Sequence, residues 1–172
     1  AFTNLTRDHL DDHKDFESYL AAKLRLFTDV VREGGVAVVN ADSDHAQPFI
    51  EAAARRGLRL ITVGENGTLK LLTRTPHEGG QSLRVSYEGK AYDFELPLAG
   101  SFQASNALVA AALAIGMGAN AHDVLTIALP RLKGAPGRLE KVAYAKSGAA
   151  IYVDYAHTPD ALQTVLTAIR PH

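Results

Sequence analysis

An α/β fold is what this sequence predicts: a parallel sheet flanked by helices, with a small antiparallel β-meander. Three observations carry that expectation. The first third alternates short continuous apolar runs, such as "VAVVN" at 36–40, with helical patterns, as β-α-β-α-β units with right-handed crossovers do. From 69 to 96 the runs become short and β-rich, split by "EGG" and "EGK" turn signals. Helical periodicity returns at 101.

Taken in order, residues 1–5 read as the end of a strand and 15–33 as a helix stopped by Gly34-Gly35. Residues 36–40 form a buried strand, 45–56 a second helix stopped by Gly57, and 58–63 another strand. The meander comprises 69–75, 81–87 and 91–96. Helices follow at 101–117 and 121–129, and "KGAPGR" is a loop. Strands at 142–145 and 149–155 surround a "KSG" turn. A last helix at 158–169 has Thr158 as N-cap and Pro159 in its first turn.

The chain has 172 residues, 47% hydrophobic and 22% charged, which suits a globular core. A net charge of −1 with no basic run leaves no nucleic-acid footprint. No apolar run is long enough to cross a bilayer, and no signal peptide is seen, so membrane insertion is not expected. The absence of cysteine excludes disulfides and thiolate metal sites and accords with a cytoplasmic setting. The chain opens without Met in "AFTNL" and closes on "RPH" as a helical pattern runs out, so a segment of something longer is expected.

On the first helix, Phe16, Tyr19, Leu20, Leu24, Phe27 and Val31 form an apolar stripe with Lys23 in its middle. One account is a snorkelling lysine with its stem on the core and its head in water. The other is a partly desolvated, nucleophilic amine that reacts with carbon dioxide. The resulting carbamate is an oxygen donor for a metal. His9 and His13, among Asp8, Asp11 and Asp12, are either a polar loop with a capping Asp or part of a metal site. No third His or Cys stands at zinc spacing, whereas a hard ion such as magnesium needs few protein ligands.

Gln103 and Asn106, three apart in "GSFQASNA", share a helix face, and their amides suit a nucleobase edge. Arg138 in "APGRLE" is either solvated or a phosphate holder. In "IYVDYAHTPDAL" a strand ends on Asp154, where an acid can accept ribose hydroxyls. His157 and Thr158 stand at a helix start, which favours anions. A capped strand–helix turn is the plainer account of the same residues. No G-x-x-x-x-G-K-[ST] occurs. "GENGTLK" is only superficially similar, since its second Gly is not followed by Lys. No G-x-G-x-x-G opens a helix after a strand, which excludes a generic Rossmann dehydrogenase.

Together, "FTNLTRDHLDDHKDFESYLAAKLRLF", "LAGSFQASNALVAAALA", "PGRLE" and "VDYAHTPDAL" resemble the Mur ligases of peptidoglycan synthesis, most closely the MurE type. The resemblance runs from Ala1 to Ile169. It implies that residues 1–147 are the later part of a central ATP-binding domain and 148–172 the first strand and helix of a Rossmann-like C-terminal domain. The P-loop would lie upstream, so ligation by this segment alone is not expected.

The implied reaction is ATP-dependent. A substrate carboxylate on UDP-MurNAc-L-Ala-D-Glu attacks the γ-phosphate, and the amine of diaminopimelate or lysine then displaces phosphate from the acyl phosphate. By resemblance Lys23 is the carbamylated lysine and holds magnesium with His9. Asn106 contacts adenine, Arg138 contacts ATP, Asp154 binds ribose, and His157 lies on the phosphate side. Gln103 stands where the MurE type usually has Asn and the related folylpolyglutamate synthases often have Gln; Asp12 stands where the MurE type usually has Tyr. A monomer is expected. The rival readings are a folylpolyglutamate or cyanophycin synthetase, and a nucleotide-binding module without turnover.

Overall fold

The run "VAVVN" is apolar at every position because both of its faces are covered. In a computed structural model, which describes residues 1–5 and 15–172, it forms β1 (Val36–Asn40). Side chains alternate across a strand, so Val38 packs into one hydrophobic cluster while Ala37 and Val39 pack into another on the opposite face.

One cluster lies under α1 (Phe16–Arg25) and α2 (Gln47–Arg55). Phe49 is fully buried there, stacked on Phe2 at 3.8 Å and edge-on to Phe27 at 5.2 Å. The stripe residues Phe16, Tyr19, Leu20, Leu24 and Val31 pack partly buried against it. Asp15 caps α1 in a capping box with Ser18. The helix expected over 15–33 is shorter: it passes into a π-helical turn, Leu26–Val30, and Val31 is already extended. A Gly-Gly pair downstream therefore ends the connection, not the helix.

The other cluster lies under α3 (Ser101–Gly116), nine of whose residues are buried. Its alanines allow close approach to the sheet. A Cβ on Gly116 would stand 2.5 Å from Val36 Cγ1. The helix expected over 121–129 is a composite: α4 (Ala121–Asp123), a π turn (Val124–Ala128) and a 3₁₀ turn (Leu129–Arg131), with Leu125 and Leu129 buried.

β2 (Arg59–Gly64) pairs parallel with β1 over five residue pairs. β3 (Leu69–His77), β4 (Gly80–Tyr87) and β5 (Lys90–Leu96) form the expected antiparallel meander. The meander is continuous with the parallel strands in one mixed sheet of order β1-β2-β3-β4-β5. The link between β2 and β3 is too short for a crossover. Their parallel overlap is accordingly only two pairs long, Val63 with Leu69 and Gly64 with Lys70. Residues 1–5 add a parallel bridge beside β1, between Phe2 and Val39.

β6 (Glu140–Tyr144) and β7 (Ala150–Val153) pair antiparallel as a separate two-stranded sheet, followed by α5 (Pro159–Ile169). The expected division between 147 and 148 falls in the turn joining these two strands.

Candidate functional site

Gln103, Asn106, Arg138, Asp154 and His157 line a single cleft of about 790 Å³, together with Thr3, Asn4 and Tyr155. Four stretches far apart in sequence supply them: residues 1–5, the first turns of α3, the loop before β6, and the turn between β7 and α5.

The start of α3 is fixed from the meander. Gln81, fully buried on β4, donates through Nε2 to the carbonyls of Leu98 (2.8 Å) and Gly100 (3.0 Å), and its Oε1 accepts from Arg74 (3.3 Å). Gly100 is the N-cap at φ 92°, and a Cβ there would stand 3.0 Å from Leu139 Cδ2. Glycine is thus required by conformation and by space. Gln103 is buried, and its Nε2 donates to the Arg138 carbonyl at 2.9 Å. Its amide is occupied in holding the opposite wall, while Asn106, one turn on, stays exposed to the cleft.

Arg138 is exposed and lies 5.4 Å from the Tyr155 ring centroid in a cation–π contact. Both neighbours are left-handed, Gly137 at φ 68° and Leu139 at φ 48°. For leucine that conformation costs about 1–2 kcal/mol, so the surroundings must impose it. Asp154 is one reason. Its Oδ2 accepts from the Leu139 N–H at 2.7 Å and its Oδ1 from the Ala156 N–H at 2.8 Å. A carboxylate has about four lone-pair positions, so both oxygens retain capacity toward a hydroxyl. His157 donates from Nδ1 to the Tyr155 carbonyl at 2.9 Å, which makes Nε2 the acceptor nitrogen of the neutral ring. Thr158 caps α5, accepting from the Ala161 N–H.

Lys23 is half-buried, with its Nζ 4.9 Å from the Tyr19 ring centroid. It borders a second cavity of about 260 Å³ shared with Thr3, Asn4, Phe27 and Phe49. Thr3 and Asn4 line both cavities. They are placed by Phe2 N–H to Val38 O, by Asn40 N–H to Phe2 O, and by Asn40 Nδ2 to Thr3 O at 3.0 Å. An ammonium has no lone pair for a metal, whereas a carbamate on Lys23 would supply the oxygen donors a hard ion takes. His9 and His13 lie outside the described residues. Among the described residues no group of three His, Cys, Asp or Glu side chains converges on a metal position.

The "GENGTLK" stretch does not form a phosphate cradle. The Glu65 and Asn66 N–H groups donate to the Asp42 carboxylate at 2.7 and 3.1 Å, so an acid occupies the place an anion would need. Sequence reasoning missed Gln81, Tyr155 and the two residues Thr3 and Asn4. Tyr155, inside "DYAHTPDAL", and Thr3 and Asn4, inside "FTNLTRDHL", stood in motifs that carried a signal; Gln81 did not.

A model of the Mur ligase middle domain matches residues 1–114. The UDP-N-acetylmuramoyl-L-alanyl-D-glutamate--2,6-diaminopimelate ligase of Caulobacter vibrioides is 54% identical over 173 residues, covering 100% of this chain and 35% of that protein. A solved structure of a ligase of the same name is 31% identical with a TM-score of 0.81, covering 99% of this chain and 35% of the other. MurF ligase of Thermotoga maritima, solved in complex with ADP, is 20% identical with a TM-score of 0.76 and covers 97% of this chain and 38% of the other, which is likeness of fold. The chain spans about a third of the length of the curated relatives it matches, 35% in the case of the Caulobacter protein.

Proposed function

The chain belongs to the Mur ligase family through its middle domain, and from that premise we propose that it is the nucleotide-binding segment of an ATP-dependent amide-bond ligase joining diaminopimelate to UDP-N-acetylmuramoyl-L-alanyl-D-glutamate. The observation that carries the reading is the convergence of Gln103, Asn106, Arg138, Asp154 and His157 on one cleft. The names of relatives about half identical over the whole chain support the substrate.

In this reading Asn106 presents its amide to the adenine edge, and Arg138 presents its planar fork to the phosphates. Asp154 offers its remaining lone pairs to ribose hydroxyls. His157, at the start of α5, faces the phosphate side, where the helix N-terminus favours negative charge. Lys23, converted to a carbamate, and His9 would hold magnesium. When bound, that ion would offset the charge of the transferring phosphoryl group. The substrate carboxylate takes the γ-phosphoryl group, ADP leaves, and the diamino acid's amine displaces phosphate from the acyl phosphate. A reaction that uses ATP and a UDP-linked substrate suits the cytoplasm, and a monomer is proposed because the five cleft residues come from one chain. Residues 148–172, with β7 and α5, are proposed as the beginning of the C-terminal domain, since β7 pairs with β6 alone and not with the five-stranded sheet.

The test supplies the intact ligase with ATP, magnesium, UDP-MurNAc-L-Ala-D-Glu and either diaminopimelate or lysine, and weighs the product by mass spectrometry. The expected product carries diaminopimelate. Exclusive use of lysine would overturn the substrate assignment, and glutamate addition to a folate would place the chain with the folylpolyglutamate synthases.

A further inference from the structure

We infer that the loop carrying Arg138 is a preorganised mount, and that Glu140 is a positioning residue that acts on nucleotide through Arg138 without touching it. The inference rests on the nucleotide reading of the cleft and adds to it a residue which that reading leaves without a role.

The peptide groups around Arg138 are held from several elements. Glu140, at the start of β6, accepts the Gly137 N–H through Oε2 at 2.8 Å. Tyr155 N–H donates to the Gly137 carbonyl at 2.9 Å, and Arg138 N–H donates to the Ala135 carbonyl at 3.1 Å. Gln103 holds the Arg138 carbonyl and Asp154 the Leu139 N–H. Leu139 itself is buried, 5% exposed, so the loop is anchored by a side chain as well.

Two left-handed positions, Gly137 and Leu139, flank Arg138 and turn the chain so that the arginine between them is exposed while its peptide links are tied inward. A leucine does not adopt that conformation unless its surroundings over-determine it. The arginine is the only long polar side chain the turn presents to the cleft, and its own contact there is the face of Tyr155. An exposed arginine otherwise loses rotamer and loop freedom on gripping an anion. A mount that removes the backbone part of that loss beforehand raises affinity without an added ligand contact.

Glu140 is the informative member, because Gln103 and Asp154 also line the cleft and Glu140 does not. Its carboxylate makes a single backbone contact, which a glutamine carbonyl reproduces. The experiment is a double-mutant cycle in the intact ligase, with ADP affinity read by calorimetry and folding checked by thermal unfolding. Arg138→Ala is expected to weaken ADP about tenfold, as loss of a charge-assisted contact does. Glu140→Ala is expected to weaken it about three- to fivefold, and Glu140→Gln to restore it. The double variant Arg138→Ala/Glu140→Ala is expected to match Arg138→Ala alone, since a residue acting only through another adds nothing once that other is gone. Should Glu140→Ala not fold, Glu140→Thr runs the same cycle. Threonine suits a strand but is too short to reach Gly137.

Penalties that multiply in the double variant, or Glu140→Ala binding ADP like the wild type, would overturn the mount. Arg138→Ala binding ADP with unchanged affinity would instead remove Arg138 from the nucleotide site, which is a failure of the prior reading and is seen in a different variant.

Discussion

Replacing Gln81 by methionine isolates the hydrogen bonds that place the start of α3. Methionine is close to glutamine in length, so the packing of this fully buried position is largely kept while all three amide hydrogen bonds vanish. The Gly100 carbonyl is not orphaned, because it also accepts from the Gln103 and Ala104 N–H groups of the first helical turn. The Leu98 carbonyl has Gln81 as its donor in the structure and stands half-covered. Arg74 is only half-buried, and water replaces the oxygen it loses. The loss is therefore one net hydrogen bond at Gly100, about 0.5–1.5 kcal/mol, plus one under-satisfied carbonyl at Leu98, about 1–3 kcal/mol reduced by partial solvation. The sum is about 2–3 kcal/mol. Equilibrium urea unfolding followed by far-ultraviolet circular dichroism measures it. With a slope of about 2 kcal/mol/M for a domain of this size, the midpoint falls by roughly 1–1.5 M with the slope unchanged. A midpoint shift below about 0.25 M, well short of the ~2 kcal/mol expected for an uncovered carbonyl, would refute the view that Gln81 anchors the 98–100 turn.

Gly100→Ala combines a left-handed φ with a Cβ 3.0 Å from Leu139; the expected destabilisation is about 2 kcal/mol, seen as a thermal midpoint about 4–8 °C lower. The carboxyl of Glu95 is held below its ordinary value of 4.5 first by the Ser82 hydroxyl and then by His77. A depressed acid stabilises the fold above its unfolded value and loses that contribution as pH falls through the lower folded value. Glu95→Gln is therefore expected to flatten the fall in thermal midpoint below about pH 4.5 and to leave its slope above that pH unaltered. For Lys23→Ala in the intact ligase, severe loss of turnover with partial rescue by short-chain carboxylic acids is expected if a carbamate acts there. Full activity would sink that role, and loss without rescue would leave the lysine as a packing residue beside Tyr19.

By itself the sequence determined the elements whose patterns are local. The strand at Val36–Asn40 was legible because an unbroken apolar run means burial on both faces, and its alternate residues do enter two different clusters. The meander was legible because its glycine turns are local chemistry. The kinds of side chain that line the cleft were legible too, since amide, guanidinium and carboxylate groups at segment ends announce themselves.

What only the tertiary structure decided is how those groups are used. Gln103 and Asn106 look equivalent on a helix face, but one is buried against the Arg138 carbonyl and the other left in the cleft. Gln81 carries no signal in a strand. Its importance arises from carbonyls at Leu98 and Gly100 that arrive from the far side of β5. Glu140 reads as the unremarked last residue of "APGRLE" until the turn at Gly137 brings an N–H to it. Local periodicity encodes which face of an element is buried. The partner of a polar group depends on where distant backbone comes to rest, and that is settled only when the sheet, α3 and the β6–β7 hairpin have packed.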